Sequence, residues 1–337
     1  MNRLIFTFLS LFALVFSVAA QKKDISQLVF EQKGISTIYL KTDLGQLIRK
    51  SSKEEYQDAV VRIDSEEGAV LVNLKGRVRA RGNMRKKQCR IPPIKIDFKK
   101  GDLETLGLKK GIDKLKMVLP CRAGDDPQNK LYREHLLYEI YNLIDPRSIR
   151  TKLAKVVITD NKGKETIRTG FFVEEEEAFA HRSEAIVIES GKIRAESLQR
   201  DLFLKMTFFQ YMIANTDFSI TNFHNLEIVK HKDAKRPCAI PYDFDYAGFV
   251  GHSYAVPHES LPIEDVNERY FFKYKLSEGE FFAMVNYYLS IEDSVNGIID
   301  EAVYLSEKER AKCKDYLKSF FDLLRKPKRI KSDIVSN

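Results

Sequence analysis

The chain is 337 residues long, 44% hydrophobic and 31% charged, with 56 Lys and Arg against 48 Asp and Glu and a formal charge of +8 at pH 7. The basic excess is spread along the chain instead of forming a dense stripe with aromatic stacking platforms, which argues against a nucleic-acid binder. After the N-terminal segment no apolar run approaches the roughly 20 residues of a membrane helix, and Cys89, Cys121, Cys238 and Cys313 lack the Cys-x-x-Cys spacing of a zinc ribbon or thioredoxin motif.

Residues 1–20 read as a signal peptide: Asn2-Arg3, a mostly apolar run from Leu4 to Phe16, then Val18-Ala19-Ala20 as a small-residue cleavage site before Gln21. The product is therefore expected to be exported, periplasmic or extracellular. Up to two disulfides are allowed there, and the remote spacing of the cysteines leaves their pairing open.

Leu28-Val29-Phe30 and residues 36–41 are expected as short strands, followed by a hairpin of residues 59–64 and 69–76 around Glu66-Glu67-Gly68. Arg77-Val-Arg-Ala-Arg-Gly-Asn leads into a basic turn, which suits a solvated turn and a phosphate cradle equally well. Residues 94–98 alternate as a strand, and 112–119 form another, ended by Pro120. Gly124-Asp125-Asp126-Pro127 opens a helix whose apolar face is Leu131, His135, Leu136, Tyr138, Ile140 and Leu143, stopped by Asp145-Pro146. Residues 154–159 and 166–173 make a hairpin around Asn161-Lys-Gly. The acidic run Glu174–Glu177 that follows reads as an exposed charge run.

From Ser197 the texture becomes helical, with Leu198, Leu202, Met206, Phe209, Met212 and Ile213 at helical spacing. A small hairpin (226–229 and 239–242) and a loop containing Pro257 and Pro262 follow. Three amphipathic helices come last, near 278–289, 294–304 and 307–324. Strands first and helices second predict an α+β fold in two lobes: an antiparallel-sheet lobe with one helix over residues 21–185, and a mainly helical lobe over 186–337.

The chemistry concentrates between Asn215 and Gly248. Asp217 is followed at the fifth residue by Asn222, and a short hairpin later comes Asp243-Phe244-Asp245. Carboxylates and an amide are hard oxygen ligands that suit Mg²⁺ or Mn²⁺ and a phosphate. The spacing and order match the catalytic loop, hairpin and metal-binding aspartate of a kinase. Asn225 competes with Asn222: strand position favours Asn225, spacing from Asp217 favours Asn222, and Asn222 is preferred. His224, His252 and His258 lack metal-ligand spacing, and no serine-hydrolase elbow or zinc-protease motif occurs.

With Arg79-Ala-Arg-Gly-Asn, the strand 90–98, Tyr132-Arg133-Glu134, the strand 170–174 and the Asn215–Asp245 segment, the chain resembles the CotH-type (spore-coat protein H) kinases and, more distantly, HipA-type atypical kinases. The resemblance covers roughly residues 75–250. It implies a protein-kinase-like fold that uses ATP with Mg²⁺ or Mn²⁺ to phosphorylate a secreted or cell-envelope protein. In that scheme Asp217 is the base or hydroxyl-orienting carboxylate, and Asn222, Asp243 and Asp245 surround the metal. Gly248 supplies the flexibility of the metal loop, and Arg81 lies in the phosphate turn. The phosphate lysine is Lys95, paired with Glu134, with Lys116 as the other candidate and Glu139 as the other partner. Small hydroxyl residues often follow the Arg-Gly-Asn turn in the family, whereas Met84-Arg85-Lys86-Lys87 stands here. The competing reading, of a different class, is a catalytically inactive kinase-shaped scaffold that binds an acidic surface partner through Arg77–Lys87.

Overall fold

A computed structural model describes residues 22–335, so the expected signal peptide lies outside the described residues. The first element is a helix, α1 (Ile25–Phe30), where a strand is expected at Leu28–Phe30. Asp24 and Gln27 form a reciprocal capping box, which satisfies the orphan N–H groups of the first turn and outweighs the β-propensity of Val29 and Phe30.

The elements that follow are β1 (Ser36–Lys41), α2 (Leu44–Arg49), β2 (Gln57–Asp64), β3 (Val70–Ala80), α3 (Met84–Gln88), β4 (Ile94–Phe98), α4 (Lys100–Thr105) and β5 (Lys114–Val118). The long α5 (Asp125–Ile144) leads to β6 (Thr151–Thr159), β7 (Glu165–Val173) and α6 (Glu176–Arg182). The chain continues through β8 (Ala185–Val187), α7 (Arg200–Met212), β9 (Leu226–His231) and β10 (Cys238–Pro241). It finishes with α8 (Glu278–Ser290), α9 (Glu292–Glu301), α10 (Glu307–Leu324) and α11 (Lys331–Ile334).

The fold is mixed α+β, but the first sheet, expected as antiparallel, is closed and holds one parallel pair. Its strands close into a barrel in the order β1-β2-β3-β4-β5-β7-β6. Closure is made by β1 lying parallel to β6, Ile38 opposite Val156, while the remaining pairs are antiparallel. Inserting the β6–β7 hairpin between β5 and β1 leaves no free edge in this sheet, and edges invite unwanted pairing. A second sheet has the order β10-β9-β8.

Two hydrophobic cores result. The barrel interior, sealed by α1, is filled by side chains such as Ile38, Val61, Val78, Ile96, Met117, Val156 and Phe172. The other core gathers α7, the second sheet and the C-terminal helices, and it includes α5. That helix is buried on more sides than one apolar face predicts: Glu134, Leu137 and Tyr141 are covered, whereas Leu143 reaches solvent. Arg133 pairs with Glu309 of α10, and the Tyr304 hydroxyl donates to Glu139, so α5 is fastened to the C-terminal helices.

Cys89 and Cys121 form a disulfide, joining the end of α3 to the segment before α5, and Cys238 and Cys313 are buried thiols. Among the described residues no helix is long and apolar enough to cross a membrane.

Candidate active site

Helix α7 ends the way an apolar helix must when it delivers polar residues to a surface. Ala214 turns left-handed at φ +50°, and the Asn215 side chain is held by Gln210 Oε1 at 2.9 Å. Asn215 Oδ1 then accepts the Asp217 N–H at 3.0 Å, the local turn that Asn favours. This places the Asp217 carboxylate at a cavity mouth with its side chain 33% exposed, open enough to meet a substrate.

Ser219 and His224 close a small loop by exchanging backbone hydrogen bonds, 3.0 Å each way. Asn222 sits at the exposed tip of that loop, its N–H donating to Ser219 Oγ at 3.3 Å, and it does not line the cavity. The loop is tightened by Phe223 and Asn225, both at φ +52°, and it returns Asn225 to Asp217. Asn225 Nδ2 donates to the Asp217 carbonyl at 2.8 Å and to Asp217 Oδ2 at 3.0 Å. The structure thus brings Asn225, and not the preferred Asn222, back to Asp217: the eight-residue spacing that counted against Asn225 is absorbed by the Ser219–His224 loop and two left-handed residues. With its N–H₂ group spent on Asp217, Asn225 keeps Oδ1 as a free oxygen donor.

His224, read from spacing as an ordinary histidine, also belongs here. Its Nε2 lies 3.0 Å from Asp217 Oδ1, so the carboxylate is gripped at both oxygens. Nothing in the sequence except its nearness to Asp217 marks it.

Across the second hairpin, Asp243 is also left-handed, at φ +57°, and its N–H donates to the Tyr138 hydroxyl of α5 at 2.8 Å. Phe244 packs on Tyr138 with ring centroids 4.7 Å apart and anchors the loop in the core. Left-handed backbone at Ala214, Phe223, Asn225 and Asp243 is local strain, which functional sites commonly store.

Asp217, His224, Asn225 and Asp243 line one cavity of about 460 Å³. Asp217, Asn225 and Asp243 face, from the barrel side, the turn Arg81-Gly82-Asn83 between β3 and α3. Gly82 has φ +84° and open space where a Cβ would be, so the turn needs glycine and its backbone stays accessible. Arg81 is half-buried and has no carboxylate partner among the described residues, which leaves its guanidinium free for an anion.

The lysine expectation is overturned in its pairing. Lys95 bonds Glu175 at 2.9 Å, not Glu134. Lys116, directly opposite Lys95 in the β4–β5 register, contacts Glu175 at 3.3 Å and also pairs with Glu176. Two like charges side by side in a sheet repel, and the carboxylates at the start of α6 neutralise them. The acidic run is thus largely inside: Glu174 is 2% and Glu175 6% exposed, with Glu174 gripped by Arg150 and Arg182.

Glu134 is instead paired with Arg85, which was read as part of a basic turn and is buried on α3. Arg85 Nε also reaches Asp245 Oδ2 at 2.9 Å, and the Tyr254 hydroxyl donates to the same oxygen at 2.9 Å. Asp245 is therefore held by Arg85 and Tyr254 through Oδ2 at the lining of the first cavity. Burial, with Asp243 nearby, pushes the Asp245 carboxyl up to about 6, and burial pushes Glu134 up to about 8 against the pull of Arg85.

A second cavity of about 470 Å³ adjoins the first, sharing Phe223 and Tyr242. Lys95, Glu175, Glu227, Ile188 and Leu226 line it, and burial together with Glu176 pushes Glu227 up to about 7. Among the described residues no three His, Cys, Asp or Glu side chains are grouped as a ready-made metal cage. The donors that do converge, Asp243, Asn225 Oδ1 and Asp217, are all oxygen. They fit Mg²⁺ or Mn²⁺, which accept one or two carboxylates and take the rest from water and phosphate.

No protein-family model matches the chain, and no curated protein matches it. Among solved structures, the chain is similar to the crystal structure of a Helicobacter pylori proinflammatory kinase, CtkA, at 13% sequence identity and a TM-score of 0.37. The match covers 74% of this chain and 91% of that one, a distant likeness.

Proposed function

We propose that the chain is an exported, two-lobed, kinase-like phosphotransferase that moves the γ-phosphate of ATP to a hydroxyl of a secreted or cell-envelope protein. The observation that carries this reading is the convergence of Asp217, Asn225 and Asp243, from two separate loops, on one cavity with the unpaired Arg81 opposite. Phosphoryl transfer asks for an orienting carboxylate, oxygen ligands and a cation on the phosphates, and little covalent chemistry. The formed disulfide supports export, because such bonds persist in oxidising compartments.

In this reading Asp217 receives the acceptor hydroxyl and takes its proton, with His224 and Asn225 fixing the carboxylate in one orientation. Arg81 and the backbone of the Gly82 turn hold the phosphates. Asp243 and Asn225 Oδ1 would hold Mg²⁺ or Mn²⁺, which when bound would supply charge neutralisation on the phosphates. The adjoining cavity between Ile188, Leu226 and Tyr242 takes the nucleoside.

A second reading, an inactive kinase-shaped scaffold, rests on one observation: Lys95 and Lys116 are both sequestered by Glu175 and Glu176, leaving neither for phosphate. The two are separated by incubating the protein with Mn²⁺ and γ-labelled ATP, with and without envelope extracts. Label transfer and ATP-dependent thermal stabilisation, both lost in Asp243→Ala, are expected. A folded wild-type protein showing neither refutes the enzyme and leaves the scaffold.

A further inference from the structure

Arg85 has a place that the reading above does not use. It is 7% exposed, lies on α3 directly after the Arg81–Asn83 turn, and inserts its guanidinium between carboxylates of two other elements. One side pairs with Glu134 of α5, and Nε meets Asp245 Oδ2 at 2.9 Å and the Tyr254 hydroxyl at 3.2 Å. The residue that caps α3, Cys89, is bonded to Cys121 ahead of α5, so this five-residue helix is tied both in its first turn and at its end.

We propose that Arg85 is a positioning residue that holds the Arg81–Asn83 turn and the Asp243–Asp245 loop in a single register across the cavity. The proposal deepens the phosphotransferase reading and rests on it for its functional consequence. The geometry calls for arginine: a planar fork reaches two carboxyls at once, whereas a lysine is a point charge that satisfies one. The turn carries the free cation and the loop carries Asp243, so their separation sets where the phosphates sit relative to the metal ligands. Glu134 links that register to α5, which Arg133 and Tyr304 fasten to the C-terminal helices.

Removing Arg85 alone strands two buried carboxyls and confuses positioning with instability. The test is therefore the triple replacement Arg85→Met, Glu134→Gln and Asp245→Asn, which removes the guanidinium and both ionisable carboxyls while keeping volume. Arg85→Lys serves as a second variant that keeps the charge and loses the fork. Hydrogen exchange on the nucleotide-free protein is read at the amides of Arg81, bonded to the Pro93 carbonyl at 2.9 Å, and Asp243, bonded to the Tyr138 hydroxyl.

Both amides are expected to exchange faster by about tenfold or more in each variant, the factor for losing one charge-assisted hydrogen bond. Exchange in α7 and β9 stays at the wild-type rate, and Mn²⁺–ATP affinity falls by a similar factor. Wild-type exchange at either amide in Arg85→Lys overturns the proposal, as does a triple variant that keeps wild-type exchange or affinity. A wild-type protein with both amides protected, released by the substitutions, but with no Mn²⁺–ATP binding, refutes the phosphotransferase reading and leaves the register intact.

Discussion

Gly248 follows the Asp243–Asp245 loop, where the sequence suggests a hinge. Its φ is not in the left-handed region, so glycine is not required by the backbone there. Close approach requires it instead: a Cβ would lie 2.3 Å from the Val266 carbonyl oxygen, 2.7 Å from the Tyr316 hydroxyl and 2.9 Å from Asn267 Cα. Gly248→Ala forces the 266–267 backbone outward by about 1 Å to regain ordinary contact. That backbone does not yield cheaply, because Arg269 next to it donates to the Met212 and Tyr316 carbonyls at 3.1 and 3.0 Å and covers the Tyr316 ring.

The cost belongs at the upper end of overpacking, about 3 kcal/mol, or a fall in melting temperature of about 4 °C for a chain of this size. Because the Gly248 N–H bonds the Ala214 carbonyl at 3.0 Å, the shift also moves the end of the Asp243–Asp245 loop against the start of the Asp217 loop. Urea denaturation gives the free energy, and Mn²⁺–ATP titration gives the functional loss. Gly297→Ala, where nothing stands within 4 Å of the new Cβ inside α9, is the control and is expected to stabilise by about 0.8 kcal/mol. A Gly248→Ala protein within about 0.5 kcal/mol of wild type refutes the close-approach argument.

Asn225→Gly, which tolerates the left-handed backbone, is expected to weaken Mn²⁺–ATP binding by about tenfold or more, while Asn222→Ala leaves it unchanged; isothermal titration showing the reverse order restores Asn222 as the ligand. Opening the Cys89–Cys121 disulfide, whose partners are 32 residues apart, is expected to cost about 3–4 kcal/mol in urea unfolding of Cys89→Ser/Cys121→Ser. A loss under about 1 kcal/mol contradicts the assignment of the cross-link as a structural tie. Stability of the metal-free protein is expected to fall as pH rises. Glu134 and Asp245 hold protons up to about 8 and about 6 when folded, but ionise in the ordinary carboxylate range when unfolded, so the folded chain binds more protons in between. Glu176 and Glu280, held down to about 2 by their partners, act below that window. Urea midpoints should be higher at about pH 5.5 than at about pH 8.5, with the difference reduced in Glu134→Gln, and equal midpoints in the wild type sink the argument.

The sequence by itself determined whatever a few neighbouring residues decide. Helical spacing and polar starts located α7, α8 and α10, Gly124-Asp-Asp-Pro opened α5, and Asn161-Lys-Gly turned β6 into β7. The Asp217 and Asp243 loops were legible because their order along the chain is itself the signal. Where a local rule was missed, as with the Asp24–Gln27 box that makes 25–30 a helix, the information was still present in adjacent residues.

Tertiary structure alone decided the partners. Ile38 meets Val156 to close the barrel, Glu174 is buried between two arginines instead of exposed, and Lys95 turns to Glu175 while Glu134 takes Arg85. The pairing of Asn225 with Asp217 also waited on folding, since only the closed Ser219–His224 loop brings the later residue back. A charged side chain carries no local preference among distant partners of opposite sign. Which pair forms depends on burial and on where the backbone brings each group, and both are properties of the assembled cores.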